Sequence, residues 1–178
     1  MLRRAVFLDR DGVLNRATVR DGKPYPPASL AELEITDEAL DACALLRGHG
    51  FALICITNQP DIARGTATRS VIDAMNAHVQ QTLGLDCVLV CPHDDDADCQ
   101  CRKPRPGLLF AAAQDLGITL DASVMVGDRW RDVEAGHAAG CRTVFIDRNY
   151  REKRPAAPDY TTPSVRDAAQ WILTHSTH

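Results

Sequence analysis

Ala5-Val6-Phe7-Leu8-Asp9-Arg10-Asp11-Gly12-Val13 sets four apolar residues directly against two carboxylates one residue apart, and then a glycine. The apolar run is continuous rather than alternating, the pattern of a strand covered on both faces. Ionised carboxylates at the end of such a strand cost several kcal/mol unless a cation or hydrogen bonds compensate them. The stretch is therefore either a turn with solvated acids or a site built around a cation and a nucleophile. Four more continuous apolar runs follow, at residues 51–56, 87–90, 123–126 and 143–146.

Between these runs the apolar spacing becomes helical. Residues 37–47 carry Leu40, Cys43, Ala44 and Leu46. Thr68 reads as an N-cap before Val71, Ile72, Met75 and Val79, and Gly84 closes that helix. Pro106 suits the first turn of a helix bearing Leu108, Leu109, Ala112, Ala113 and Leu116, stopped by Gly117. Residues 133–139 precede Gly140 in the same way, and Ser164 with Asp167 resembles a capping box for a last helix. Strands alternating with helices predict an α/β fold: a three-layer, Rossmann-like parallel sheet with helices on both faces. Ligands in such sheets bind at the carboxyl ends of strands. Asp9 and Asp11, Thr57-Asn58, Cys91 and Gly127-Asp128 all fall at such ends.

Two segments lack either period. Residues 16–30 hold Gly22, Pro24, Pro26 and Pro27 and read as a loop; residues 148–163 read as a surface connection. No repeat or composition shift divides the chain, so residues 1–178 are expected to form a single domain. The net charge of −4, without a Lys/Arg block, argues against nucleic acid as a partner. No apolar stretch approaches the roughly 20 residues that span a bilayer, and no signal-peptide pattern precedes the first strand. No membrane partner and a cytoplasmic location are the expectations. Seven cysteines, an odd number scattered through apolar segments, do not read as a disulfide framework, and Cys43, Cys55, Cys87 and Cys141 read as small buried hydrophobes.

The remaining three cysteines cluster. Cys91, His93, Cys99 and Cys101 lie within eleven residues, the ligand set and spacing of a tetrahedral Cys3His zinc site. All four positions are filled by protein, so the zinc would be structural and would pin the loop that leads into Arg102 and Lys103. Asp94, Asp95, Asp96 and Asp98 inside that loop read as a solvated bulge. Across the sheet edge, Asp128 meeting Asp9 and Asp11 would form a hard oxygen site of the kind Mg²⁺ prefers. Lys103 beside those carboxylates could hold a phosphoryl oxygen, and Thr57 and Asn58 offer neutral donors.

Asp9-x-Asp11-Gly12-Val13, Ile56-Thr57-Asn58-Gln59, Lys103-Pro104 and Gly127-Asp128-x-x-x-Asp132 resemble the four ordered motifs of the haloacid dehalogenase superfamily. The resemblance covers residues 5 to about 147. It implies that Asp9 is the nucleophile, forming an aspartyl-phosphate, and that Asp11 is general acid and then base. It implies that Thr57 and Lys103 complete the catalytic set. Mg²⁺ would be held by Asp9, Asp128 and the Asp11 main-chain carbonyl, with Asp132 orienting the cluster from behind. The zinc loop, and the absence of any insertion long enough for a large cap domain, resemble the compact zinc-bearing branch of that family. A Mg²⁺-dependent phosphatase is implied, acting on a small phosphorylated sugar, foremost a heptose bisphosphate; the small polar chain without a cap makes a monomer the expectation. Histidinol phosphate is the alternative substrate, and a catalytically dead zinc-stabilised binding module the non-enzymatic one. A second phosphate needs cations: Arg64 and Arg102 are the candidates, followed by Arg16, Arg20 and Lys23. Pro60-Asp61, Arg129 and the loop at 16–27 depart from the relatives' pattern.

Overall fold

The computed structural model describes residues 3–175. The opening apolar run forms β1 (Ala5–Leu8), followed by a short hairpin of β2 (Thr18–Arg20) and β3 (Lys23–Tyr25). Then come α1 (Asp37–Gly48), β4 (Ala52–Asn58), a single turn α2 (Asp61–Arg64), α3 (Arg69–Leu83) and β5 (Cys87–Cys91). The second half holds α4 (Gly107–Leu116), β6 (Val124–Gly127), α5 (Trp130–Ala138), β7 (Arg142–Ile146), β8 (Tyr160–Thr162) and α6 (Val165–His175). The main sheet has the order β5-β4-β1-β6-β7-β8, and every pairing in it is parallel.

The chain steps outward from β1 to β4 and β5, then crosses back to β6 on the other side. β1 is thus the point where the winding reverses, and a crevice opens at its carboxyl end. The registers Leu8↔Cys55 and Leu8↔Val126 bring the ends of β4 and β6 level with Asp9. The Asp9 amide donates to the Val126 carbonyl at 3.0 Å, extending the ladder one residue into the crevice.

Both faces of the sheet are covered, as continuous apolar strands require. Val6 and Leu8 pack with α1, α3 and α6 through Leu46, Val79 and Ile172. Ala5 and Phe7 face the opposite way, toward Leu109 of α4 and Ala135 of α5. Each fully buried Leu, Ile or Phe here contributes about 1.5–3 kcal/mol. Helix starts follow the expected chemistry: Thr68 Oγ1 accepts from the Val71 amide, and Ser164 Oγ from the Asp167 amide.

Four expectations are corrected. Residues 16–30 are not all loop, because Asp21 (φ 51°) and Gly22 (φ 77°) make the two-residue turn of the β2–β3 hairpin. Residues 148–163 contribute a sixth parallel strand, β8, held by its backbone ladder to β7. Pro106 is the residue before α4 rather than inside its first turn. Cys87 lies on edge strand β5 and is only partly buried, whereas Cys43, Cys55 and Cys141 are buried. Among the described residues, the hairpin is the one structured insertion between β1 and α1, and no large cap is present. Among the described residues, no helix is long and apolar enough to cross a membrane.

Candidate active site and metal centres

The crevice floor is built around one buried ammonium. Lys103, 2% exposed, donates from Nζ to Asp9 Oδ1 at 2.8 Å and to the Ile56 carbonyl at 2.7 Å. The same Nζ lies 2.6 Å from Asp132 Oδ1. Burial opposes the charge, but Asp132 and Asp9 outweigh it and hold the lysine pKa above its usual value. Burial likewise pushes Asp9 up to about 6, against the pull of Lys103. Lys103 is brought in by Asn58, whose side chain donates to the Lys103 carbonyl and accepts from its amide, both at 3.1 Å. Asn58 lines the crevice, yet its amide is committed to this clamp. Thr57 is buried, and its hydroxyl oxygen accepts from Gln59 Nε2 at 2.9 Å.

Asp11 sits beside Asp9 at the crevice wall. Its carboxylate accepts from Arg10 Nε and both oxygens accept from Arg10 Nη2, at 3.1–3.2 Å. Asn15 Nδ2 and Gln59 Nε2 add bonds of 3.0 and 2.9 Å. Arg10 is itself wholly buried and reaches Asn76 Oδ1 of α3 at 2.8 Å. Sequence reasoning missed Arg10 and Gln59, because nothing in a sequence marks a polar side chain as buried.

Asp9, Asp128 and Asp132 bring one carboxylate oxygen each to within 4.8 Å of one another. Asp128 Oδ2 accepts from Tyr150 Oη at 2.8 Å, but its buried Oδ1 has no partner. Burial, reinforced by Asp9 and Asp132, raises the Asp128 pKa well above the ordinary carboxylate value. Three crowded acids with an orphaned buried oxygen are what a divalent cation would satisfy, so the residues fit magnesium. Gly12 makes room for them: a Cβ on it would overlap Asp128 Oδ2, and its φ of 88° favours glycine. The Asp11 carboxylate is not among these three.

Cys91, His93, Cys99 and Cys101 present their ligand atoms to one point, again within 4.8 Å. Cys91 Sγ lies 3.5 Å from His93 Nδ1, 3.8 Å from Cys99 Sγ and 3.2 Å from Cys101 Sγ. Zn–S bonds of about 2.3 Å in a tetrahedron imply S···S edges of roughly 3.8 Å, so the four fit zinc.

Arginines from three elements ring the mouth. Arg64 of α2 makes a two-pronged pair with Asp94, each bond 2.6 Å. Arg129 makes another with Glu152, at 2.9 and 2.5 Å. Arg102 donates to Asp95 Oδ1 at 3.0 Å and to the His93 carbonyl at 3.1 Å. Arg131, which sequence reasoning passed over, lies 3.0 Å from the same Asp95 oxygen. Asp94 and Asp95 are therefore arginine partners and not a solvated bulge; Asp98 pairs with Arg105 in the open. The hairpin adds Lys23 and Tyr25 to the wall. Arg20 stacks over Tyr25, while Arg16 pairs with Glu34 outside the crevice.

A family model described as HAD-hydrolase-like matches residues 100–168. The D-glycero-beta-D-manno-heptose-1,7-bisphosphate 7-phosphatase of Escherichia coli (strain K12) is 34% identical over 181 residues, covering 95% of this chain and 87% of its own. The chain belongs to the HAD-like hydrolase family. The Pasteurella multocida (strain Pm70) protein of the same name is 29% identical to this HAD-like chain, covering 96% of it and 97% of itself. The D,D-heptose 1,7-bisphosphate phosphatase of B. bronchiseptica, crystallised with magnesium and phosphate, superimposes with a TM-score of 0.82 at 27% identity. That match covers 97% of this HAD-like hydrolase and 99% of the neighbour.

Proposed function

We propose that the chain is a Mg²⁺-dependent phosphomonoesterase that hydrolyses a heptose 1,7-bisphosphate at its 7-phosphate through an aspartyl-phosphate on Asp9. The observation that carries the chemistry is Lys103 Nζ, shared between Asp9 at 2.8 Å and Asp132 at 2.6 Å beside the three-carboxylate cluster. Asp9 is held in line by this lysine, and its second oxygen is left to attack phosphorus as the P–O bond to the sugar breaks. Asp11, kept off the metal cluster by Arg10, Asn15 and Gln59, gives a proton to the leaving alkoxide. It then takes one from the water that hydrolyses the aspartyl-phosphate, which restores Asp9 and frees inorganic phosphate. Magnesium held by Asp9, Asp128 and the Asp11 main-chain carbonyl would supply positive charge to offset that of the phosphoryl oxygens. Asp132 orients Lys103, and Thr57 and Asn58 shape the wall that receives the phosphoryl group. Zinc on Cys91, His93, Cys99 and Cys101 holds the loop that presents Arg102.

The substrate reading is supported by the names of the relatives and by the charge at the mouth. Outside the floor, Lys23, Arg64, Arg102, Arg129 and Arg131 line the crevice against Asp61, Asp95 and Glu152, with Asp94 paired to Arg64 at its edge, five cations to four acids. An excess of cations suits a second phosphate and opposes the amine of histidinol phosphate. We further propose one domain over residues 1–178, a cytoplasmic monomer, and no nucleic-acid or membrane partner. The test is phosphate release with Mg²⁺ from both anomers of heptose 1,7-bisphosphate, other sugar phosphates and histidinol phosphate. Preferred release from a heptose bisphosphate, lost in Asp9→Asn, is expected. Preferred turnover of histidinol phosphate would replace the substrate reading, and an active Asp9→Asn would overturn the mechanism.

A further inference from the structure

The arginines at the mouth are not equivalent. Arg64 and Asp94 form a closed pair of one cation and one anion, as do Arg129 and Glu152. Arg102 and Arg131 instead share one carboxylate, and even one oxygen of it: Asp95 Oδ1 lies 3.0 Å from Arg102 Nε and 3.0 Å from Arg131 Nη1. One negative charge between two guanidiniums leaves an uncompensated positive charge at this spot. Both side chains are substantially covered, at 11% and 25% exposure, and both line the crevice. Lys23 also has no carboxylate partner among the described residues, but it is an exposed point charge on the hairpin.

The pair is also held rigid. Arg102 is fixed by the His93 carbonyl as well as by Asp95, and the Arg131 guanidinium lies 4.9 Å over the Trp130 ring. A guanidinium has five N–H donors. Arg102 spends two nitrogens on its partners and Arg131 one, so each keeps donors for a further anion. Two preorganised guanidiniums suit the tetrahedral oxygens of a phosphate.

We propose that Arg131 is a specificity-determining residue that, together with Arg102, binds the phosphate of the substrate that is not hydrolysed. Asp95 is the positioning residue that brings the two guanidiniums side by side from the zinc loop and from α5. This rests on the sugar-bisphosphate reading above. The subsite is supplied by two elements that Asp95 bridges, so it depends on the loop of residues 91–101 keeping its place.

The experiment compares kcat/KM for heptose 1,7-bisphosphate with that for heptose 7-phosphate, which lacks the second phosphate. In the wild type the bisphosphate is favoured. Arg131→Ala should lower that preference by about tenfold or more, chiefly through KM, since a charge-assisted hydrogen bond is lost. Arg131→Lys should restore part of it, keeping the charge without the fork. Asp95→Asn, on a side chain 56% exposed and thus compatible with folding, should lower the same ratio while circular dichroism and melting stay as in the wild type. An unchanged ratio in Arg131→Ala overturns the subsite, and an unchanged ratio in Asp95→Asn overturns the positioning role. A wild type with no preference for the bisphosphate overturns the substrate reading as well, which separates the two failures.

Discussion

Lys103 is a buried cation set between two carboxylates of the site. It neutralises Asp9 and Asp132, both buried, with contacts of 2.8 and 2.6 Å. Removing one partner of a buried ion pair costs about 3–5 kcal/mol, because the other charge is stranded. Lys103→Met should therefore abolish turnover and also lower the melting temperature by on the order of 10 °C, read by calorimetry. Asp9→Asn should behave differently: phosphate release falls on the order of 10⁴-fold or more, while Lys103 keeps Asp132 and the fold persists. Gly12→Ala makes a third case. Its Cβ would displace Asp128, so the variant should need far more Mg²⁺ for the same rate, seen as a shifted magnesium titration. These carboxylates and the lysine were legible in the sequence because acids after an apolar run have few stable uses. Arg10, Gln59 and Tyr150 were not legible. Their types are ordinary on a surface, and only the tertiary structure turns them toward Asp11 and Asp128.

Among elements, the zinc loop decides how the mouth is built. Cys91 ends β5, and Cys101 is followed at once by Arg102 and Lys103, so a zinc ion on these ligands would fix the approach of both cations. Cys99→Ser should lose the bound zinc, measured by elemental analysis, and should lower melting temperature together with the affinity for the sugar bisphosphate. Full stability and one zinc per chain in that variant would refute the ligand assignment. The ligands were readable because metal spacing is local in sequence. The hairpin was harder to read. Asp21-Gly22 is a strong turn signal, but Thr18–Arg20 and Lys23–Tyr25 lack the alternating apolar residues that normally accompany it, since this ribbon is largely exposed. β8 escaped notice for a related reason. Tyr160-Thr161-Thr162 is short, polar and at the sheet edge, and its strand character comes from the ladder to β7, which no local pattern records.

At the scale of the whole molecule, net charge and local charge point in opposite directions. The chain carries −4 overall, which by itself repels a bisphosphate. The floor contains four carboxylates, Asp9, Asp11, Asp128 and Asp132, which Lys103, Arg10 and a bound divalent cation would balance. The rim then keeps a small excess of cations, five against four acids, and a concave site concentrates that field. At physiological salt the Debye length is about 8 Å, so exposed charges farther than that from the crevice are largely screened. The near cations should therefore win over the remote negative charge. Raising ionic strength at fixed free Mg²⁺ should lower kcat/KM for the bisphosphate several-fold, and the slope should flatten in Arg131→Ala, which removes one of the attracting charges. If the overall charge of the molecule governed the encounter instead, added salt would screen a repulsion and kcat/KM would rise.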